Sequence, residues 1–539
     1  MDSVRRCARR RPDERSPGTG ASRSRRVWRL SASAAAVLLA MGLTVPGAPA
    51  QGSGPAHAQS ATAAMPAARL NWTPCPFPGS PPALECASVP VPLDYAHPDG
   101  AITTVTVDRL KAADPAQRIG SLFFNPGGPG GSGTAIVYAQ SLGANLFTAR
   151  ARQRFDLIGI DPRGVGLSNA VRCDPALLNR HVSQFPADEA GFRRLVERNR
   201  ALGASCRRLT GPLLEHVDTA SAARDLDAIR RALGEDRINY LGLSYGVQLG
   251  TQYAELFPTH IRTMALDAAL VHSLPTVSLF ADEARAYEDS LNRFFRWCAR
   301  ATSCALHGRR VGHLFDRLVA TAGRRPIPAP GCAASVCRSR VTGEDIRFQA
   351  QLKLLFKKPT PQVAPDGWNA LAIAMKKALA GDATAFSPPL ARSPADDALN
   401  GSAIAIECLD WPDPVRSLSD LKRLQLLGRV VAPRLRGASQ SWTVLAGCIG
   451  WPAPVVNPPH PTDVAGTPPI LIINATHDPS TPYVWAQQLA AELGSAVLLT
   501  RAGDGHTSYL AKGPSRTRDA IDRYLITGQT PPPNTVYTT

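Results

Sequence analysis

Nowhere in the 539 residues is there an apolar run of the roughly twenty positions that a membrane-spanning helix requires. The best candidate, 31–45 (SASAAAVLLAMGLTV), holds about fifteen small and apolar residues, so no stable membrane span is expected. There is no CxxC pair and no cysteine spacing of a common zinc module, which argues against a metal site. No basic stripe interleaved with aromatics occurs, so nucleic acid is not an expected partner. No internal repeat is visible.

What the chain has instead is an asymmetric start. Residues 1–50 carry ten arginines and three acids, +7 of the formal net charge of +17, and the remainder is spread thinly. An arginine-rich stretch, the apolar run and Ala48-Pro49-Ala50 follow one another in the order of a secretory signal peptide. Ser24-Arg25-Arg26-Val27-Trp28 resembles a twin-arginine signal, although an ordinary basic leader reads equally well. A signal peptide over 1–50, a Pro/Ala-rich leader or propeptide over 51–70, and a destination outside the cell or in its envelope are therefore expected. Cys7 would leave with the signal, and ten cysteines remain, an even number that reads as disulfides in an exported chain. Proximity in sequence suggests Cys75–Cys86, Cys173–Cys206, Cys298–Cys304, Cys332–Cys337 and Cys408–Cys448, though spacing alone does not fix the connectivity.

Further along, apolar strand-like runs at 102–110, 119–124, 155–160, 238–243, 262–266, 470–474 and 496–500 alternate with helix-like stretches. Several are apolar without alternation, as strands covered on both faces should be. In TASAARDLDAIRRALG, Ala222, Leu226, Ile229 and Leu233 make one helical face, with Asp218 or Thr219 as start cap and Gly234 at the end. This is an α/β pattern with a mostly parallel sheet. The interval from about 271 to 467 breaks the alternation with helix-like stretches and Pro-rich loops, and is too long for a loop. It reads as a large, mainly helical lid inserted between core strands, dividing the core into 71–270 and 468–539.

At the junction of strand 238–243 with a helix ending before Pro258 stands GLSYG, placing Ser244 between Gly242 and Gly246. Glycine permits the tight strand-to-helix turn that lifts a serine hydroxyl above a sheet. A serine needs a base, and the base an acid to orient it, in the order Ser, Asp, His on this kind of scaffold. Asp478 follows the strand in PPILIINATHDPSTP, and His506 follows the one in AVLLTRAGDGHTSY. Asp267, also at a strand end, and Asp504, two residues from His506, compete for the acid's role, and His477 adjoins Asp478. Donors for a developing oxyanion are expected from the N–H of Tyr245 and from FFNPGGPGGSG, where Gly128 is favoured because Pro129 has no N–H. That glycine run lacks the Lys-Ser/Thr ending of a phosphate-binding loop.

NPGGPGGSG, FDLIGIDPRGVGLSN, GLSYG and the two downstream residues, in that order from about Trp72 to the end, resemble the prolyl and tripeptidyl aminopeptidase branch of the α/β-hydrolases. The likeness is greatest to the secreted tripeptidyl aminopeptidases of actinomycetes. Pro126 stands where many prolyl aminopeptidases have histidine, which favours the tripeptidyl group. The resemblance implies an α/β-hydrolase fold and a serine exopeptidase acting on peptides with a free N-terminus, without cofactor or metal. An aminopeptidase must hold a charged α-amino group, and AIAIECLDWPD offers Glu407 and Asp410, with Trp411 readable as core or as subsite wall. A secreted esterase or lipase, or an endopeptidase, on the same core is the alternative.

Overall fold

Ten strands build the central sheet: β1 (Thr73–Pro74), β2 (Leu84–Pro92), β3 (Ile102–Leu110), β4 (Gly120–Asn125), β5 (Phe155–Asp161), β6 (Ile238–Leu243), β7 (Ile261–Asp267), β8 (Leu471–His477), β9 (Val497–Asp504) and β10 (Val536–Thr538). The computed structural model describes residues 70–333, 335–359, 367–394, 398–510 and 515–538. The expected signal, its twin-arginine-like stretch, Cys7 and nearly all of the leader lie outside the described residues. The strand order is β1-β2-β3-β5-β4-β6-β7-β8-β9-β10. From β5 to β10 every neighbouring pair is parallel, and β1, β2 and β3 add an antiparallel margin.

Side-chain alternation across this sheet feeds two apolar layers. Phe123, Tyr240 and Ile472 join one, with Leu226, Ile229, Val247 and Trp485 from the helices that cover it. Leu122, Phe124, Leu241 and Ile473 join the other, with Val137, Ile521 and Tyr524. Both faces being covered explains why the central strands read as unbroken apolar runs.

Sequence reading missed β1, β2 and β10. β2, LECASVPVP, carries two prolines, which demote a strand on pattern alone. Thr73 and Pro74 pair only with Cys86 and Glu85, so Pro90 and Pro92 lie where the far edge of β2 has no partner strand and a missing N–H costs nothing. β8 and β9 run past the expected 474 and 500, with a register shift between Ala475 and His477 that carries both toward the site. The helix Thr219–Ala232 starts at Asp218, whose carboxylate accepts from Ser221 N at 2.8 Å.

Between β7 and β8 the described chain forms helices and one two-stranded ribbon, Ile327–Pro328 with Arg340–Val341. The long helix Thr276–Arg300 buries Phe280, Ala284, Tyr287, Leu291, Phe294 and Cys298, steps of four and three that make a single apolar stripe. This stripe enters a third hydrophobic cluster, which Leu195 of the helix Glu189–Thr210 also joins. Asn199 on that helix donates to the carbonyls of Ala446 and Ile449 at 2.8 and 3.1 Å, so a segment before β6 helps to build the helical layer. The five disulfides pair the cysteines as neighbours in sequence, Cys75–Cys86, Cys173–Cys206, Cys298–Cys304, Cys332–Cys337 and Cys408–Cys448.

Candidate active site

Ser244 sits at the junction of β6 and the helix Tyr245–Leu256 with φ 57° and ψ −122°, a conformation that a non-glycine residue adopts only where its surroundings force it. Its flanking glycines are there for space. A Cβ on Gly242 would lie 2.3 Å from the carbonyl oxygen of Gly246, and one on Gly246 2.7 Å from that of Asn125. The loop after β4 closes on the same turn: a Cβ on Gly127 would meet the carbonyl oxygen of Leu243 at 2.4 Å and Cβ of Ser244 at 2.8 Å. Neither the N–H of Gly128 nor that of Tyr245 meets an acceptor among the described residues. Gly133 begins the helix behind the loop, capped by Ser132, which also donates to Asp161 at 2.7 Å.

β8 and β9 lead into Asp478 and His506. Nδ1 of His506 lies 3.0 Å from both carboxylate oxygens of Asp478, whose side chain is fully buried. The N–H groups of Ser480 and Thr481 donate to Asp478 Oδ1 at 2.9 and 3.0 Å and restrain the carboxylate. Burial alone would depress the His506 pKa, but Asp478 outweighs it by charge and hydrogen bond, with Asp267 and Glu283 adding to the effect, and the imidazole is held above its ordinary value. The opposite nitrogen is thereby left to act on a hydroxyl proton.

The competing residues have other work. Asp267 bridges the two halves of the site: its backbone carbonyl accepts from Ser244 N at 3.0 Å, and its Oδ2 accepts from Ser508 N and Tyr509 N at 2.7 Å. Asp504 pairs with Arg293 and with Lys357, at 2.7 Å for the latter. His477 pairs with Asp289 at 2.9 Å.

Three residues that sequence reading passed over complete the surroundings. Arg501, 5 % exposed, donates to the carbonyls of Asp504, Gly505 and Thr507 and to Ser508 Oγ, and so shapes the loop that presents His506. Thr481 Oγ1 lies 3.3 Å from His506 Nδ1. Glu283, on the insertion's first helix, accepts from Ser441 N at 2.6 Å, and burial raises its pKa to about 7 against its serine donors and the charge of His506. A lone glutamate inside an amphipathic helix carries no sequence signal, although its place in the apolar stripe beside Ala284 is anomalous for a charge.

Glu407 and Asp410 part company. Asp410, 1 % exposed, accepts from Thr219 N, Thr219 Oγ1, Gln248 Nε2 and Asn457 Nδ2 at 2.5 to 3.1 Å. The acceptor positions that were expected to receive a substrate amine are thus taken up by the protein, and Asp410 ties its helix to the start of the helix Thr219–Ala232 and to Gln248. Glu407 stands one turn earlier on the helix Ala398–Asp410, and its carboxylate, unlike its backbone carbonyl, meets no donor among the described residues. It lines a cavity of about 350 Å³ together with Thr443, Arg198 and Phe348. Burial, then the charges of Glu283 and Asp410, raise its pKa well above the ordinary carboxylate value. Trp411 is core, 4 % exposed and edge-on to His272.

Comparison with known proteins bears on the family and the fold. The alpha/beta hydrolase fold family matches residues 120–326, and the family described as TAP-like protein matches 433–537. The chain is 32% identical over 483 residues to the serine protease Hip1 of Mycobacterium tuberculosis, covering 86% of this chain and 90% of that protein. Over 497 residues it is 32% identical to the tripeptidyl aminopeptidase of Streptomyces lividans, covering 87% of each. Over 476 residues it is 30% identical to Carboxylesterase B of Mycobacterium tuberculosis, covering 83% of this chain and 85% of that protein.

Proposed function

Since the chain belongs to the tripeptidyl aminopeptidase family of α/β-hydrolases and is a serine hydrolase of the peptidase kind, we propose that it is an exported exopeptidase releasing short peptides, tripeptides in particular, from free N-termini. Ser244 attacks the scissile carbonyl while His506 takes its proton, and Asp478 fixes the tautomer of His506 and stabilises the imidazolium. The N–H groups of Gly128 and Tyr245 receive the oxyanion of the tetrahedral intermediate. His506 then protonates the leaving amine, and water, activated by the same imidazole, hydrolyses the acyl-enzyme and restores Ser244.

The observation that carries the exopeptidase reading is Glu407, a carboxylate without a partner beside a cavity and within the electrostatic reach of Glu283, which is itself coupled to His506. An ammonium in that position would relieve the repulsion between the two acids and supply hydrogen bonds that Glu407 lacks. The tripeptide register rests on the Streptomyces lividans relative. Export is supported by the five disulfides and by the order of residues 1–50. The alternative, an endopeptidase or esterase on the same core, draws on the relatives named serine protease and carboxylesterase.

Hydrolysis of a tripeptide anilide with a free N-terminus, compared with its acetylated form and with a short-chain ester, decides among these. The free-terminus anilide should be strongly preferred over its acetylated form. Equal cleavage of the two anilides would reject the exopeptidase reading and leave the serine hydrolase chemistry intact.

A further inference from the structure

A second cavity, about 920 Å³, lies between the helices that follow β7 and the segment carrying His181 and Ser183, and shares no residue with Ser244, Asp478, His506, Gly128 or Tyr245. Its size falls in the range of small-molecule sites, roughly 300–1,000 Å³. The helix Val311–Arg324, the start of the helix Gly343–Leu354, and the turn carrying Arg434 and Arg436 form its walls.

Charge in this cavity is not balanced. Arg434 is answered by Asp316 at 3.3 Å and Glu288 at 3.8 Å. Glu344 spends its oxygens on Ser183 Oγ at 2.6 Å and Gln184 N at 2.8 Å. Arg347, only 9 % exposed, has no ion pair and no side-chain hydrogen bond among the described residues, and its Nε is buried without an acceptor. Its one neighbouring ring is Phe185, 5.8 Å away, which stacks on Trp442. Exposed Arg436 has no side-chain partner among the described residues either. Burial and the charge of Arg436, against the partial compensation of Glu344, push the Arg347 guanidinium down to about 10.

A buried guanidinium without an acceptor, facing a second one, is costly in the empty protein and becomes favourable only when an anion joins them. The planar fork of arginine matches carboxylate and phosphate oxygens in pairs, and the amide end of the helix Gly343–Leu354 adds positive potential in the same cavity. Gly343 and Glu344 offer first-turn N–H groups that meet no acceptor among the described residues.

We propose that this cavity is a binding site for a small multivalent oxyanion, a phosphate- or carboxylate-bearing molecule held between Arg347 and Arg436. It does not rest on the reading given to Glu407.

Titration calorimetry and thermal unfolding with pyrophosphate and with citrate, at constant ionic strength set by sodium chloride, test the site. Wild-type protein should bind at least one of the two and gain thermal stability with its concentration. Binding of pyrophosphate alone identifies phosphate as the group recognised, and of citrate alone, carboxylate. Arg347→Gln and Arg436→Gln should each weaken that binding about tenfold or more, the loss of a charge-assisted pair. In anion-free buffer Arg347→Gln should be at least as stable as wild type, because it removes an unanswered buried charge. Should that variant fail to fold, Arg436→Gln, at an exposed position, still carries the test. No binding of either anion beyond the chloride control, or equal binding by wild type and the Arg436→Gln variant, overturns the proposal.

Discussion

Buried carboxylates are handled in opposite ways at the carboxyl edge of the sheet and along the helix Ala398–Asp410 of the insertion. At the edge Asp478, Asp267 and Asp161 each meet two or more donors from the chain. Such groups orient what they touch and have little left to offer a ligand. On the helix, Asp410 follows the same rule and binds the insertion to the core, but Glu407, three residues before it, is left unanswered. Glu407 is only half-buried and lines a cavity, so its carboxylate oxygens stay open to a ligand. The contrast separates acids that build the site from an acid that waits for something to fill it.

The sharpest break would come at Ser244. Ser244→Ala should lower peptide and ester hydrolysis together by about 10⁴-fold or more, with unfolding unchanged, since the hydroxyl makes little packing. A fluorophosphonate probe should label wild type at this residue. Labelling elsewhere would mean that the elbow presents a serine with no nucleophilic role.

Next in size is the acid that orients. Asp478→Asn should cost about 10³- to 10⁴-fold in kcat on both substrate classes, because an amide presents an N–H to Nδ1 and favours the wrong tautomer. Asp504→Asn should cost far less, since Asp504 faces Arg293 and Lys357 instead of the imidazole. Equal losses in the two variants would show that the loop's salt bridges, and not the carboxylate at 3.0 Å from His506, set the base.

Then comes the comparison within one helix. Glu407→Gln should lower kcat/KM for free-terminus peptides by roughly ten- to a hundredfold, the worth of one charge-assisted hydrogen bond, and leave a small ester nearly untouched. Asp410→Asn should do the reverse: it sets an NH2 among the donors of Thr219, Gln248 and Asn457, costing about 1–3 kcal/mol of stability while the preference for a free terminus persists. A Glu407→Gln protein that retains the full preference would move the amine site to Glu283.

Much of this was legible in the sequence, and the unread part has a physical pattern. GLSYG, Asp478 and His506 could be read because each pairs a reactive residue with a local signal, two glycines or a strand end. The cysteine pairs followed from proximity. Glu407 and Asp410 read alike, since both are acids in one short apolar stretch, and only tertiary contacts show that one is spent. Glu283 and Arg501 left no trace, because their meaning lies in partners 158 and a few residues away respectively, brought together by folding. β2 was hidden by its prolines, whose cost vanishes on an unpaired edge that no local pattern announces.

The smallest expected effect is in pH dependence, and it tests the contrast without any mutation. His506 must be neutral to accept a proton, and its pKa is raised, so ester hydrolysis should climb with pH through that value and then level off. A free-terminus peptide asks for more. Glu283, raised to about 7 by burial, and Glu407, which burial and the charges of Glu283 and Asp410 hold well above the ordinary carboxylate range, must give up protons before they can meet an ammonium with full charge. The acid limb of kcat/KM for such a peptide should therefore be steeper than for the ester and extend to higher pH. Above about pH 8 the α-amino group, with a pKa near 7.7–8.0, begins to lose the charge that the acids recognise, and the peptide profile should turn down while the ester stays level. The ratio of the two rates should thus pass through a maximum near neutrality, varying by several fold across it. In Glu407→Gln the ratio should flatten. Superimposable peptide and ester profiles in wild type would mean that Glu407 and Glu283 answer only each other, and that the insertion handles its acids as the sheet edge does.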